Sequence, residues 1–246
     1  MPSSELRASA AGLRRLESGR VRCVFTTRAL GDMRCARQRR EALAQAGAPE
    51  PDARLLRQVH GKGLVVLQGA QTDNASPDVG LGGVHPRADG WLTDRPGAAV
   101  GVVVADCLPV WVWERSGRAA GVFHAGWRGL EAGILGRAVE EFARSFGIRP
   151  GDLEASVGPH AGACCYRVGP EVAQRFRRDS LRLSGGETFL DLGAEARAQL
   201  AAAGLGSVAV SPDCTICGAG RYFSWRREGG RGPLCGQMLA CLWLEA

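Results

Sequence analysis

Apolar residues in the middle of the chain come in short unbroken runs. Residues 98–105, 108–113 and 119–123, with Trp91-Leu92, are apolar or β-branched over strand length, and Pro96-Gly97 and Ser116-Gly117 punctuate them as turns. Such runs predict central strands buried on both faces. The period then changes: Leu130, Ile134, Leu135, Ala138, Val139, Phe142 and Phe146 recur near every 3.6 residues, which predicts an amphipathic helix over 129–147. Further helices are predicted over 35–47, stopped by Gly47 with Pro49 beyond it, around 170–178, and over 192–203. Strands are predicted at 20–28, 64–68, 153–157, 208–211, 222–225 and 238–244. The aperiodic stretch 69–87, rich in Gly, Pro and Asp-Asn, reads as an exposed loop. Strands in hairpin-like succession with helices at intervals predict an α+β fold, a single domain of mixed β-sheets flanked by helices. Neither an internal repeat nor a Pro- or Ser-rich linker splits the chain. The division expected is an N-terminal extension, 1–19, ahead of one domain, 20–246.

Composition narrows the chemistry only a little. In 246 residues, 31 basic against 25 acidic side chains give a net charge of +6, and Lys62 is the only lysine. A basic chain admits anionic ligands such as phosphates. The arginines are scattered, with one local run at Arg34, Arg37, Arg39 and Arg40, so neither a nucleic-acid stripe nor nucleic acid as a partner is expected. The sequence offers no apolar run of membrane-spanning length and no apolar signal core near Met1, which makes a cytoplasmic protein without a membrane partner the expectation. Nine cysteines, an odd number, fit a reducing compartment in which thiols stay free.

Polar residues at element edges carry the candidate chemistry. Cys107 sits in Ala105-Asp106-Cys107-Leu108-Pro109, at the break between two apolar strands, and an acidic residue there marks a functional corner. His60 and His124 end predicted elements in the same way. Two imidazoles and a thiolate form a three-ligand set that leaves a fourth tetrahedral position open, the pattern of a catalytic zinc, although copper would accept the same donors. An ion held so makes a strong nucleophile available at neutral pH. The residues alone leave simpler roles open: Cys107 as a small buried hydrophobe, His60 in a turn, His124 bonded to a carbonyl. Cys214 and Cys217 have the two-residue spacing of a zinc knuckle. Their only possible completion, the adjacent Cys164-Cys165, is a poor chelating pair.

Longer strings bear a resemblance. Gln58-Val59-His60-Gly61, Ala88-Asp89-Gly90, Ala105-Asp106-Cys107-Leu108-Pro109, His124-Ala125-Gly126-Trp127-Arg128-Gly129, Cys165-Tyr166-Arg167-Val168-Gly169, Asp213-Cys214-Thr215 and Phe223-Ser224-Trp225-Arg226-Arg227 occur in this order. From Val21 onward the chain resembles the polyphenol oxidase or laccase-domain family, now understood as purine nucleoside phosphorylases. The resemblance implies zinc on His60, Cys107 and His124. It also implies phosphorolysis of adenosine, inosine, guanosine or methylthioadenosine, and deamination of adenosine. Purine nucleosides and phosphate are then the partners, and the assembly a monomer or homodimer. Asp106 is a candidate proton shuttle, and Arg28 and Arg226, which match family arginines, are candidate anion contacts. A multicopper oxidase would need more than four histidines. Two other readings compete: a metal-free cysteine hydrolase using Cys107 and His124, and a non-catalytic metal- or nucleotide-binding module. His160, in a position where the family commonly has an apolar residue or cysteine, is an extra ligand, a substrate contact or neutral drift.

Overall fold

Strand Leu108–Glu114 is buried at every position, and its alternate residues serve two different cores. Leu108, Val110 and Val112 pack with Ile134, Leu135 and Phe142 of a helix, whereas Trp111 and Trp113 pack with Phe25, Val102 and Ala240 of a second sheet. This follows from the two-residue period of a strand. The computed structural model describes residues 5–8, 12–69, 85–229 and 235–246. Most of the loop expected at 69–87 lies outside the described residues.

The six-stranded sheet runs in the order Ser207–Val210, Leu153–Val157, Leu108–Glu114, Ala120–Ala125, Gly90–Thr93, Leu64–Leu67. Its outermost pairs are parallel and the inner ones antiparallel, so the sheet is mixed, as expected. Facing it is a five-stranded antiparallel sheet ordered Arg7–Ala8, Leu13–Ser18, Val21–Thr26, Met238–Leu244, Val100–Val104. Strand Met238–Leu244 repeats the two-sided logic. Met238, Ala240 and Leu242 face between the sheets, while Leu239, Cys241 and Trp243 face helix Ala36–Ala46 on the outside. Helices Ile134–Phe146 and Leu192–Ala202 cover the opposite flank, which makes four layers, helix, sheet, sheet, helix.

Several expectations need correction. The helix expected over 129–147 is two helices, Trp127–Glu131 and Ile134–Phe146, because Gly133 takes φ +80°, a left-handed conformation that ends the first one. The helix expected at 170–178 is one turn, Pro170–Ala173, in which only Val172 is buried. Residues 222–225 form no strand. The backbone N–H of Tyr222 bonds to the Gly218 carbonyl in a turn, that of Phe223 to the Met238 sulfur, and that of the following Arg226 to the Asp106 carboxylate, none of them a ladder bond. Leu13–Ser18 lies within the expected extension yet pairs along its whole length with Val21–Thr26. A small sheet of Arg167–Val168, Glu187–Leu190 and Leu181–Ser184 has no counterpart among the strands expected from the hydrophobic pattern. Its hairpin turns on Gly185-Gly186, both at positive φ, as a two-residue turn requires.

Candidate metal centre

The register of two strands brings the first two site residues together. Cys107 directly precedes Leu108–Glu114, and His124 is the penultimate residue of Ala120–Ala125, lying opposite Pro109. Both side chains therefore leave the same end of the sheet. His60 arrives on a loop with φ +58°, and two side chains hold that loop down. Gln58 exchanges two hydrogen bonds with the backbone of Val103, each 2.9 Å, as a ladder neighbour would. The Asp89 carboxylate accepts the N–H groups of His60 and Gly61 at 2.9 and 2.8 Å.

One donor atom each from His60, Cys107 and His124 lies within 4.8 Å of the others. The imidazole rings stand nearly perpendicular, at 84°, with centroids 4.7 Å apart. Asp89 is fully buried, and its Oδ1 lies 2.9 Å from Nδ1 of His124. An ionised carboxylate only accepts, so Nδ1 carries a proton and Nε2 is the nitrogen turned toward Cys107. Burial pushes the Cys107 thiol up, but the charge and hydrogen bond of His124, and then those of His60, outweigh it and bring the thiol down to about 6. Burial pulls His124 down. The facing Cys107 sulfur and Asp89 more than offset this and carry it up to about 9. The Asp89 carboxyl, raised by burial, is held below its ordinary value by His124 and by the N–H groups of Gly61 and His60.

This donor set fits zinc in an open three-ligand site: two nitrogens, one sulfur drawn below the ordinary thiol range by the imidazoles beside it, and a buried carboxylate behind one imidazole. Gly126 makes the close approach possible. A Cβ there would sit 2.9 Å from the Cys107 sulfur and 3.3 Å from the His60 ring.

The three residues form part of the wall of a cavity of about 620 Å³, which also carries Trp127, Tyr166, Trp225, Arg128, Arg226, Gln58 and Gln237. That volume is in the range of small-molecule sites. A hollow of about 530 Å³ between helices Ile134–Phe146 and Leu192–Ala202 is lined by small side chains, with only Glu140 and Gln199 polar, and holds no comparable chemistry.

Of the other residues expected at the site, Arg226 lines the cavity, stacked over Tyr166 at 4.9 Å. Arg28 does not line it; it pairs with Glu228 at 3.0 Å and stacks on Phe223. Asp106 borders the cavity, but both its oxygens are engaged. Thr215 and Ser224 hydroxyls donate at 2.6 and 3.0 Å and the Arg226 N–H at 2.7 Å. His160 is not a ligand: its Nδ1 bonds the Gly158 carbonyl at 2.8 Å and its Nε2 packs on Gly193, away from the cavity. Sequence reasoning assigns no role to Asp89, Arg128 or Tyr166. The signal for Asp89 is its place in Ala88-Asp89-Gly90, a carboxylate at the mouth of an apolar strand, where burial demands a partner.

A family model described as multi-copper polyphenol oxidoreductase laccase matches residues 26–245. The chain belongs to this family. Relatives in it include purine nucleoside phosphorylase YlmD of Geobacillus stearothermophilus, 34% identical over 198 residues, covering 74% of this chain and 69% of the relative. Purine nucleoside phosphorylase YfiH of Escherichia coli strain K12 is 32% identical over 213 residues, covering 84% and 80%. The crystal structure of the Geobacillus YlmD superposes with a TM-score of 0.84 at 27% identity, over 98% of this chain and 99% of that one. The α+β fold described above is thus shared with that relative over nearly its whole length. The family's description names several coppers, whereas this member has four histidines, with only His60 and His124 at the centre.

Proposed function

We propose that the chain is a zinc-dependent purine nucleoside phosphorylase that also deaminates adenosine, with adenosine, inosine, guanosine and methylthioadenosine as its substrate class. The observation that carries this reading is the convergence of His60, Cys107 and His124 on one wall of a cavity of nucleoside size. The names of its relatives agree. Zinc on these three residues supplies Lewis acidity and an open position at neutral pH.

The rest of the chemistry falls to the chain. Trp127, Tyr166 and Trp225 offer flat apolar faces to a purine. Arg128, stacked on Trp127 at 4.3 Å and without a carboxylate partner among the described residues, joins Arg226 in holding phosphate against the ribose C1′ carbon. Guanidinium groups there stabilise the charge that shifts as the glycosidic bond breaks. Asp106 has both oxygens committed, so we assign it to holding the Arg226 backbone and Thr215 in place instead of moving a proton. Asp89 holds His124 in one tautomer.

A second reading has one observation in its favour. Cys107 beside His124, with its thiol brought down to about 6, is also the pairing of a cysteine hydrolase. Product analysis by chromatography separates the two. Zinc-replete protein incubated with adenosine should release adenine only when phosphate is present, and inosine with or without it. Turnover that survives chelation but is lost on alkylation of Cys107 would favour the hydrolase. Tight nucleoside binding with neither product would leave a binding module and overturn the enzymatic reading.

A further inference from the structure

Four cysteines from two loops meet beside the pocket wall, and none of them lines the cavity. Cys164 and Cys165 lie in the turn after Gly162; Cys214 and Cys217 lie in the turn after strand Ser207–Val210. Their sulfurs are all within 4.8 Å of one another, with Cys217 at 3.3 Å from Cys164 and 3.1 Å from Cys165. Adjacent cysteines ordinarily chelate one ion poorly. Here the N–H groups of Cys165 and Tyr166 both bond to the Gly162 carbonyl, which winds the backbone so that the two sulfurs reach the same neighbour. Zinc–sulfur bonds of about 2.3 Å in a tetrahedron set neighbouring sulfurs about 3.8 Å apart; the two Cys217 contacts are shorter than that by about half an ångström, and no pair exceeds 4.8 Å.

Three further features suit an ion rather than four thiols packed by chance. The Cys214 sulfur accepts the Gly162 N–H at 3.3 Å; such a donor stabilises a negatively charged sulfur. A Cβ at Gly162 would press within 3.2 Å of the Cys214 Cβ and 3.4 Å of the Cys164 sulfur, so the chain leaves the cluster room. Guanidinium groups clamp both loops. Arg182 donates to the Ala163 carbonyl at 3.0 Å, and Arg227 to the carbonyls of Thr215 and Ile216 at 2.7 and 2.9 Å. Four thiolates around one divalent cation leave an excess of negative charge, which these cations offset.

We propose that Cys164, Cys165, Cys214 and Cys217 form a second, structural metal site that takes one zinc ion, separate from His60, Cys107 and His124. Closed four-thiolate coordination is the structural kind. The cluster is also tied to the cavity through its neighbours in the chain. Thr215, between two of the ligands, donates to Asp106, and Tyr166, next to a third, lines the cavity. Zinc here fastens one side of the pocket.

Cobalt(II) titration of the metal-stripped, reduced Cys107→Ala protein tests the site with the four cysteines untouched. The expected result is intense sulfur-to-cobalt charge-transfer absorption with tetrahedral visible bands, saturating at one cobalt per chain and disappearing in Cys107→Ala/Cys217→Ser. Zinc analysis should give two ions per wild-type chain and one in Cys107→Ala, a readout that does not depend on the Cys217 variant folding. A Cys107→Ala spectrum without those bands, or one zinc per wild-type chain that is lost with Cys107, would overturn the proposal. So would mass spectrometry finding a Cys165–Cys217 disulfide in protein purified without oxidant, since that would make the cluster a redox pair.

Discussion

The Asp89 carboxylate contacts the Nδ1 atom of His124 at 2.9 Å in a position closed to solvent, while its oxygens also take the backbone N–H groups of His60 and Gly61. One buried side chain thus orients the ring of one proposed ligand and the loop of another. Such outer hydrogen bonds fix the orientation of the groups that would hold an ion. Replacing Asp89 with Asn keeps the shape and removes the charge, and zinc affinity is expected to fall about 10- to 100-fold. Competition with a chromogenic chelator measures it; unchanged affinity would detach Asp89 from the centre.

Cys107 provides the pH dependence. Its thiol is brought down to about 6, so in metal-free protein the thiolate persists to lower pH than an ordinary cysteine and is lost as pH falls through that value. The rate of alkylation at Cys107 should rise through about pH 6 and be level well before the ordinary thiol range. In His124→Ala, the group that lowers it most is gone, and the curve should move to higher pH. Identical curves for the two proteins would contradict the coupling.

Gly126 is needed for space, since a methyl group there would lie 2.9 Å from the Cys107 sulfur. Gly126→Ala is expected to lose at least tenfold in zinc affinity. The fold should survive, because φ at Gly126 is −75°, which alanine adopts freely. Circular dichroism together with bound-zinc analysis distinguishes this local effect from general unfolding.

The arginines divide by position. Arg128 and Arg226 line the cavity, and Arg28 is taken up by Glu228 and Phe223. A charged hydrogen bond is worth about 1.5–3 kcal/mol, so Arg128→Ala or Arg226→Ala should raise the KM for phosphate by about tenfold or more, with a smaller effect on the nucleoside. Arg28→Ala should leave it within about twofold. Steady-state kinetics at varied phosphate gives the comparison.

Arg39 belongs in sequence to a local run of arginines, yet it is buried. Its Nη2 donates to Asp52 at 2.8 Å and its Nη1 to the Met33 carbonyl at 2.9 Å. Asp52→Ala leaves that cation unpaired away from water, and a loss of about 3–5 kcal/mol in urea denaturation is expected.

The legible parts of the chain are those where one residue period holds over a whole element. Leu108–Glu114 and Ala120–Ala125 are apolar throughout because both faces are covered, and the stripe from Ile134 to Phe146 faces one core. Legibility ends where single residues decide. Gly133 splits a helix that its neighbours would continue, and Asp106 draws 222–226 away from strand pairing by taking an N–H. The three proposed zinc ligands can be named from their motifs, but not their meeting, which depends on strand register and on Asp89 folding a distant loop back. His160 is a candidate ligand by residue type and is buried against Gly158 and Gly193. The four-cysteine cluster looks unpromising in sequence because the turn at Gly162, which lets adjacent sulfurs converge, cannot be seen from spacing.

Anomalous diffraction at the zinc edge, on crystals grown from zinc-replete protein, addresses the central claim most directly. The account requires a peak within bonding distance of one nitrogen from His60, one from His124 and the sulfur of Cys107, open toward the cavity. Density there without an anomalous signal, or zinc bound by some other set of side chains while these three remain bare, would contradict it.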